Sequence, residues 1–343
     1  MAGSRVARPI MADVARLAGV SHQTVSRVLN GHPNVSQQTR DQVMVAIREL
    51  GYRPNAAARS LVTRRTFALG VISFDITLYG PASMLYRIEL AARPDYSVAI
   101  TCLPALDRGS VLDAVDRLLR QSVEGIIVIA PQSSAVEALS GVTAEVPLVA
   151  VGCGTHAPLV SVAIDNTAGA LAATSYLLDL GHRTVHHLGG PASWLDAQER
   201  VDGWREALQA VGAPVVPPVY GDWSARSGYE LGHQLAQRRD MTAVFCGNDQ
   251  MALGLLRALA ERGIRVPDDI SVVGFDDIPE AAFFPPPLTT VRQDIEQLAR
   301  QALRRIIDEI NGAHRPGADP PIAPHLIVRA SATRPRGSMQ FPS

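Results

Sequence analysis

Residues 13–30 read DVARLAGVSHQTVSRVLN, and this stretch predicts two short helices joined by a tight turn. Ala15 and Gly19 are small enough for the two helices to cross closely, and Val25 and Val28 would face inward from the second helix. The outward face of that helix carries side chains that donate or accept hydrogen bonds, namely Ser21, His22, Gln23, Ser26, Arg27 and Asn30. Because glutamine pairs with adenine and arginine with guanine in the major groove, this face predicts a DNA-reading helix.

The charge of the chain is divided unequally along its length. Residues 1–65 carry ten arginines against three acidic residues, whereas the rest of the chain has eight more acidic residues than arginines. A basic head followed by an acidic body favours a polyanionic partner for the head. A small helical unit with a polar face could instead bind a protein, but the charge distribution favours DNA over that alternative.

From residue 67 onward the sequence alternates short apolar runs with amphipathic stretches. The runs that predict strands are FALGVIS, YSVAITCL, GIIVIAP, PLVAVG, VHHLGG, AVFCGN and SVVGFDD. Continuously apolar strands separated by helices predict parallel sheets that are covered on both faces. About 265 residues of this pattern exceed one doubly wound unit. We therefore expect an all-α helix-turn-helix head followed by an α/β body of two lobes with a cleft between them.

Several classes of protein require residues that the sequence lacks. The chain contains no lysine, which excludes a P-loop lysine and a Schiff-base or pyridoxal lysine. It also lacks GxSxG, HExxH and a dinucleotide-binding glycine loop after the first predicted strand, and its three cysteines lie far apart. We expect no enzyme, no catalytic residue, no cofactor and no metal. With neither a membrane span nor a secretion signal in the sequence, we expect a cytoplasmic protein with no membrane partner.

Two adjacent segments carry a resemblance to a known family. DVARLAGVSHQTVSRVLNG and VSQQTRDQVMVAIRELGYRPNAAARSL resemble the DNA-binding and hinge region of the LacI family. The resemblance continues to about residue 333 through LYGPAS, QERVDGW, GDWSARSG, FCGNDQMALG, DISVVGFDD and PPLTTVRQD. These pieces are similar to the family's sensor domain, which is itself similar to periplasmic sugar-binding proteins. The resemblance implies a DNA-binding domain over residues 1–53, a hinge helix and linker over 54–66, a two-lobed effector-binding and dimerisation domain over 67–333, and a tail over 334–343.

The resemblance also implies a function. A homodimer would bind a palindromic double-stranded operator as a repressor, and a small sugar or glycoside effector would release it. In the hinge, Asn55, Ala58 and Leu61 would contact DNA, with Leu61 wedged into a base step of the minor groove. An isolated helix of about seven residues is unstable, so the hinge would fold only when DNA orders it. The alternative is a stand-alone sugar-binding protein, because the body alone could hold a sugar.

By the same resemblance, the effector contacts are Arg200, Trp223, Asn248, Asp276 and Gln293, and the other lobe contributes Phe74, Leu78 and Met84. Arginine and carboxylate can each grip two adjacent hydroxyl groups, and an aromatic face covers the apolar side of a sugar ring. Asn248 could instead cap the following helix, and Trp223 could be part of the core. Asp249, Asp269 and Asp277 are expected to be helix caps or surface charges.

Three positions depart from the family pattern. Ile10 stands where threonine usually caps the first helix, so an N-cap worth about 1 kcal/mol is lost. Gly152 stands at a strand end where some members place an acidic sugar contact, so one partner for a hydroxyl group is missing. Pro94 lies in a shortened stretch and should end the preceding helix early.

Overall fold

The computed structural model describes residues 9–29, 32–52, 65–103, 107–129, 131–139, 144–153, 160–238, 240–313 and 319–336. The chain forms two compact units, Met1–Thr66 and Phe67–Ser343. The first is helical and the second contains two parallel sheets with helices, which confirms the fold class expected from the sequence. Among the predicted DNA contacts, Asn30, Asn55, Ala58 and Leu61 lie outside the described residues.

The described part of the head contains three helices around a small apolar core. Val14, Val25, Val28 and Val43 are buried in that core, as the sequence predicts for Val25 and Val28. The hydroxyl group of Ser36 accepts the backbone N–H of Thr39 at 3.2 Å and begins the third helix. The helices are α1 (Met11–Ala18), α2 (His22–Leu29) and α3 (Gln37–Leu50).

The start of α1 shows how the chain accommodates Ile10. The Ile10 side chain makes no cap hydrogen bond, as expected for an apolar residue at this position. The carboxylate of Asp13 instead accepts the backbone N–H of Ile10 at 2.9 Å and pairs with Arg16 at 2.6 Å. Asp13 therefore supplies the reciprocal half of a capping box, while the N–H groups that a threonine would bind gain nothing from Ile10.

The first lobe of the body contains a five-stranded parallel sheet in the order β2-β1-β3-β4-β5. Its strands are β1 (Ala68–Phe74), β2 (Ser97–Leu103), β3 (Gly125–Ile129), β4 (Leu148–Val151) and β5 (Val160–Val162). Helices cover both faces, which explains why the strands are apolar on both sides. They are α4 (Tyr79–Ala92), α5 (Arg108–Arg120), α6 (Ser133–Leu139) and α11 (Ile295–Ile310), which follows most of the second lobe in the sequence. As expected, α4 ends just before Pro94.

The second lobe contains a six-stranded sheet in the order β11-β10-β9-β8-β6-β7, parallel except for β11. Its strands are β6 (His186–Gly189), β7 (Val219–Tyr220), β8 (Ala243–Cys246), β9 (Ser271–Asp276), β10 (Thr289–Arg292) and β11 (His325–Ile327). Its helices are α7 (Asn166–Asp179), α8 (Leu195–Ala210), α9 (Ala225–Leu235) and α10 (Asp249–Glu261). The strands that the apolar runs did not predict, β5, β7, β10 and β11, have four residues or fewer.

Within the described residues the chain passes between the two lobes at three places. The first lies between β5 and α7, the second between β10 and α11, and the third near Ile322, before β11. The first and third run side by side, because Asp165 N–H donates to the Ile322 carbonyl at 2.9 Å and Ile322 N–H donates to the Ala163 carbonyl at 2.9 Å. Two parallel sheets joined in this way place the carboxyl ends of their strands at a shared cleft.

Close packing of α9 against α10 gives a test of the second lobe. A Cβ atom on Gly254 would lie 1.9 Å from the carbonyl oxygen of Ala225, which is backbone and has little room to move. We expect Gly254→Ala to destabilise the body by about 1–3 kcal/mol through overpacking, and to lower its thermal midpoint by roughly 3 °C or more. Calorimetry or circular dichroism would measure the midpoint.

Gly80→Ala is the matched control, because a Cβ atom on this α4 residue would meet nothing within 4 Å. Its midpoint should stay equal or rise slightly, since alanine favours a helix over glycine. Equal midpoints for the two variants would contradict the packing of α9 on α10.

Candidate functional site

A cavity of about 310 Å³ lies between the two lobes of the body, at the carboxyl ends of their strands. The first lobe contributes residues that follow β1, β3 and β4, and the second contributes residues that follow β6, β7, β8, β9 and β10. Apolar side chains form one wall, including Met84, Ile129, Ile164 and Leu298. Polar side chains from the second lobe form the opposite wall, so the cavity can hold a ligand with an apolar and a polar face.

Arg200 is the centre of the polar wall. It lies on α8 and is 4% exposed. Its Nε–H donates to Asn166 Oδ1 at 3.0 Å, its Nη1 donates to the Gly247 carbonyl, and its Cζ lies 3.8 Å from the centroid of the Phe275 ring. The same Nη1 lies 3.7 Å from Asp276 Oδ1. These contacts fix the guanidinium group before any ligand arrives.

Asp276 ends β9 beside Arg200. Its backbone has a φ of 110°, in the left-handed region that an aspartate rarely adopts. Its Oδ1 accepts a hydrogen bond from Gln293 Nε2 at 2.5 Å. Burial raises the pKa of Asp276 to about 6, although the charge of Arg200 and the Gln293 hydrogen bond act in the opposite direction. The structure thus brings Arg200, Asp276 and Gln293 together, as the sequence predicts.

Asn248 and Trp223 meet on the same wall. Asn248 Oδ1 accepts the backbone N–H of Met251 at 2.9 Å, so Asn248 caps α10, which is one of its two interpretations. Its Nδ2 donates to the Trp223 carbonyl at 3.0 Å and to Gln250 Oε1 at 3.0 Å. Asn248 also lines the cavity, so the cap role leaves the predicted ligand contact open.

The Trp223 side chain combines core packing with exposure to the cavity. Trp223 is 7% exposed, and its ring packs edge-on against that of Trp194 with the centroids 5.6 Å apart. Its backbone has a φ of 73°. It is nevertheless part of the cavity wall. Its indole N–H is buried and has no hydrogen-bond partner among the described residues. An unpaired buried donor at a cavity is a group that a ligand oxygen can satisfy.

Two of the three residues predicted for the first lobe line the cavity. Leu78 and Met84 line the cavity. Phe74 does not, because its ring packs behind the wall with its centroid 6.2 Å from that of Trp194. Trp194, which the sequence analysis did not select, occupies the wall instead. The sequence marks Trp194 as a cavity residue only by its position a few residues after β6, and many residues that do not line a cavity share such a position.

Two further acidic residues lie near Arg200 on α8. Asp196 lines the cavity, and Glu199 shares an amide with it, since Asn166 Nδ2 lies 3.0 Å from Glu199 Oε2 and 3.4 Å from Asp196 Oδ1. Burial raises the pKa of Asp196 to about 6. Burial and the nearby charge of Asp196 raise the pKa of Glu199 to about 7. The sequence analysis missed both residues, because nothing in their spacing separates them from surface acids of a helix.

Asp249 corrects another expectation. It was expected to be a cap or a surface charge, but it is fully buried. Its carboxyl group accepts the hydroxyl of Thr290 at 2.6 Å and the backbone N–H of Ile278 at 2.9 Å. Burial raises its pKa well above the ordinary value. Asp249 therefore ties α10 to β10 and to the loop after β9. Asp277 pairs with Arg292 and Arg329, each at 2.6 Å.

In the head, the predicted DNA-reading residues lie on α2 and just before it. Ser21, His22, Gln23 and Arg27 are exposed, and Ser26 is half-buried. Ser21 also accepts the backbone N–H of Thr24 at 3.1 Å, which begins the helix. The face opposite the buried valines is therefore polar and accessible within this unit.

In the part of the chain that the structure describes, no group of three or more His, Cys, Asp or Glu residues could hold a metal ion. None of the helices in that part is long and apolar enough to span a membrane. His182 hydrogen-bonds to Thr242, Ser271 and the carbonyl of Thr333 instead.

The raised pKa of Glu199 gives a pH-dependent test of the site. A carboxyl group whose pKa is raised on folding stabilises the fold at low pH, and this contribution is lost as the pH rises through the folded value of about 7. Asp165, Asp196 and Arg200 act on Glu199 at the same time. Glu199→Gln should therefore match the unmodified protein near pH 5 and have a thermal midpoint roughly 3 °C higher at pH 8.

Asp202→Asn is the control, because Asp202 lies on the same helix, exposed and paired with Arg205 at 2.8 Å. Its midpoint difference from the unmodified protein should not vary between pH 5 and pH 8. A Glu199→Gln difference that is equally constant would mean that Glu199 is solvated rather than buried.

Both compact units of the chain match families of known proteins. Residues 10–55 match the family described as bacterial regulatory proteins, lacI family, and residues 174–332 match a periplasmic binding protein-like domain. The lactose operon repressor of Escherichia coli (strain K12) is 35% identical over 305 residues, which are 88% of this chain and 84% of that protein.

Two solved structures extend the comparison to the fold. A lac repressor dimer bound to operator and the anti-inducer ONPF has a TM-score of 0.83 and 33% identity, covering 95% of this chain and all of that chain. A complex of the transcriptional regulator CelR with cellobiose has a TM-score of 0.71 and 33% identity, with the same coverage. Both the sequence and the fold thus match regulators along nearly the whole chain, and this protein belongs to the lacI family of bacterial regulatory proteins.

Proposed function

We propose that this transcriptional regulator is a repressor that binds a palindromic operator as a homodimer and leaves it when a sugar or glycoside occupies the cavity between the two lobes. The DNA-binding domain would extend over residues 1–53 and the hinge over residues 54–66, with the effector domain over 67–333 and a tail over 334–343. The chain would act in the cytoplasm, where its operator is, and as a binder rather than an enzyme.

The observation that carries the effector assignment is the polar wall of the cavity. Arg200 and Asp276 present a fixed cation and a carboxylate at adjacent positions, with Gln293 bonded to the same carboxylate. A guanidinium group donates to two oxygens and a carboxylate accepts from two hydroxyl groups, which suits neighbouring hydroxyls on one ring. The apolar wall opposite would cover the C–H face of the ring. The CelR structure with cellobiose, which has the same fold, supports a sugar as the ligand.

The DNA assignment rests on the exposed face of α2. Gln23 and Arg27 are exposed on a helix whose other side is buried in the core of the head. In the major groove, such side chains would read base edges, while Ser21 and the other arginines of residues 1–65 would contact phosphates. The lac repressor dimer bound to operator supports this partner. Two heads on one dimer would match the two half-sites of a palindrome.

Release requires that the sugar and the operator prefer different conformations of the protein. In this mechanism the sugar changes the angle between the lobes and separates the two hinge helices, so that Asn55, Ala58 and Leu61 lose their DNA contacts. A hinge this short folds only with DNA and its partner helix, so separating the pair unfolds it. A stand-alone sugar-binding protein is the alternative, but it would have no use for the DNA-reading head over residues 10–55.

The direct experiment is fluorescence anisotropy of the purified protein on a labelled palindromic operator with a central CG step. The complex would be titrated with a panel of monosaccharides, disaccharides and their glycosides. We expect tight binding that one sugar class reverses. Binding that no sugar changes would contradict the effector assignment, and no DNA binding would favour the stand-alone sugar-binding protein.

Variants should separate the two activities. Arg27→Ala should weaken operator binding by on the order of 10- to 100-fold, because a bidentate base contact is worth about 1–3 kcal/mol, and should leave sugar affinity unchanged. Arg200→Ala should weaken sugar binding at least about tenfold, since hydrogen bonds to a charged group are lost, and the operator complex should no longer respond to sugar. Gln293→Ala provides a second, less buried test of the same wall.

Arg205→Ala is the matched control on α8, because its guanidinium group is exposed and pairs only locally with Asp202. It should behave like the unmodified protein in both assays. If Arg200→Ala and Gln293→Ala still respond to sugar at the original concentration, the cavity is not the effector site.

A further inference from the structure

We propose that the cavity accepts an uncharged sugar and excludes anionic ones such as uronides and sugar phosphates, and that Asp196, with Glu199 beside it, sets this selectivity. The inference rests on the proposed effector function of the cavity and narrows the class of its ligand. It concerns two residues of α8 that the sequence analysis did not select.

The position of Asp196 is fixed by contacts between the lobes. Leu195 N–H donates to the Pro131 carbonyl at 2.9 Å, and Gln132 and Trp194 form an antiparallel bridge. The first turn of α8 is thereby held against the loop after β3. Asp196, the next residue, faces the cavity from this corner.

The same corner is where Gly152 leaves the end of β4 without a side chain. A Cβ atom on Gly152 would lie 3.6 Å from Pro131 Cα, beside the contact that holds α8. Burial raises the pKa of Cys153, the residue after Gly152, and the charges of Asp196 and Glu199 add to that rise. A carboxylate therefore stands near the end of β4 after all, supplied by the second lobe across the cleft. It replaces the hydroxyl partner whose absence Gly152 suggested.

The charges in the wall do not balance. Among the described residues that line the cavity, Arg200 is the cation, and Asp196 and Asp276 are the acids. Arg200 lies 3.7 Å from Asp276, so that carboxylate offsets its charge. Asp196 shares the amide of Asn166 with Glu199, and Arg200 acts on both of these acids as a single positive charge against three carboxyl groups. A ligand anion would thus meet a net negative charge inside the cavity, where like charges repel more strongly than in open water.

An uncharged sugar suits every group on the wall. Its hydroxyl groups can donate to Asp196 and Asp276, and its oxygens can accept from Arg200. The indole N–H of Trp223, which is buried and has no partner in the described part of the chain, is a further donor for a sugar oxygen. Burial, and after it the charge of Asp196, raises the pKa of Glu199 to about 7, so the two acids already repel one another before a ligand arrives.

The test uses pairs of ligands that differ in one substituent, which is neutral in one member and anionic in the other. The 4-nitrophenyl β-glycosides of glucose, galactose and xylose, and the 4-nitrophenyl β-glucuronide and β-galacturonide, would be titrated into the full-length protein by calorimetry at pH 8. In each uronide a carboxylate replaces the CH₂OH group of the parent hexoside. We expect at least one hexoside to bind and its uronide to bind at least tenfold more weakly.

Variants assign this discrimination to the two acids. Asp196→Asn with Glu199→Gln should bring the glycoside-to-uronide ratio to within about threefold, mainly by strengthening uronide binding. Each single variant should give part of the change, so one misfolded variant leaves the other as a test. A merely structural role would weaken both ligands together. Asp202→Asn, which removes an exposed charge from the same helix, should retain the full ratio.

The outcomes separate this inference from the proposed function. A uronide that binds as tightly as its glycoside, or a ratio that the double variant leaves intact, would overturn the inference while the cavity remains a sugar site. If no glycoside binds and none releases the operator, the proposed effector class fails and the inference fails with it.

Discussion

The buried guanidinium group of Arg200 is the interaction on which the site depends. A charge removed from water needs hydrogen bonds and a counter-charge, and here Asn166, the Gly247 carbonyl and Asp276 supply them from α7, the end of β8 and the end of β9. Satisfying Arg200 therefore requires α7, α8 and two strand ends to meet in one arrangement. The polar wall of the cavity is preformed, because the contacts that stabilise the buried charge of Arg200 also fix the positions of Asn166 and Asp276.

The wall opposite Arg200 lies on the other lobe of the body. The apolar wall belongs to the first lobe, and α11, which packs on that lobe, is reached only through a crossover that follows β10 of the second. A ligand that contacts both walls must favour one angle between the lobes over others. An effector can act on DNA only to the extent that it binds the DNA-free arrangement more tightly. The cleft thus provides a physical means by which occupancy in the body can change what the head binds.

Sequence reasoning reached the fold because the deciding patterns are local. A helix buries both Val25 and Val28 on one side, and a strand covered on both faces buries an apolar run such as GIIVIAP. It also reached Arg200, Asp276 and Gln293, through motifs that resemble a family. It did not select Asp196, and it placed Phe74 at the cavity. The positions of both side chains depend on how Trp194 and the start of α8 pack across the cleft, and no local period encodes that contact. Asp249 is buried rather than a cap or surface charge. Its partner Thr290 lies forty-one residues away, and no local pattern marks that contact.

If one chain couples a DNA-reading head to a sugar-binding cleft, the coupling must be reciprocal. The most direct measurement is the affinity of the releasing sugar, by calorimetry, for the free protein and for the protein saturated with operator. The account predicts that operator weakens sugar binding by the same factor by which the sugar weakens operator binding. Equal sugar affinities with and without operator would contradict it.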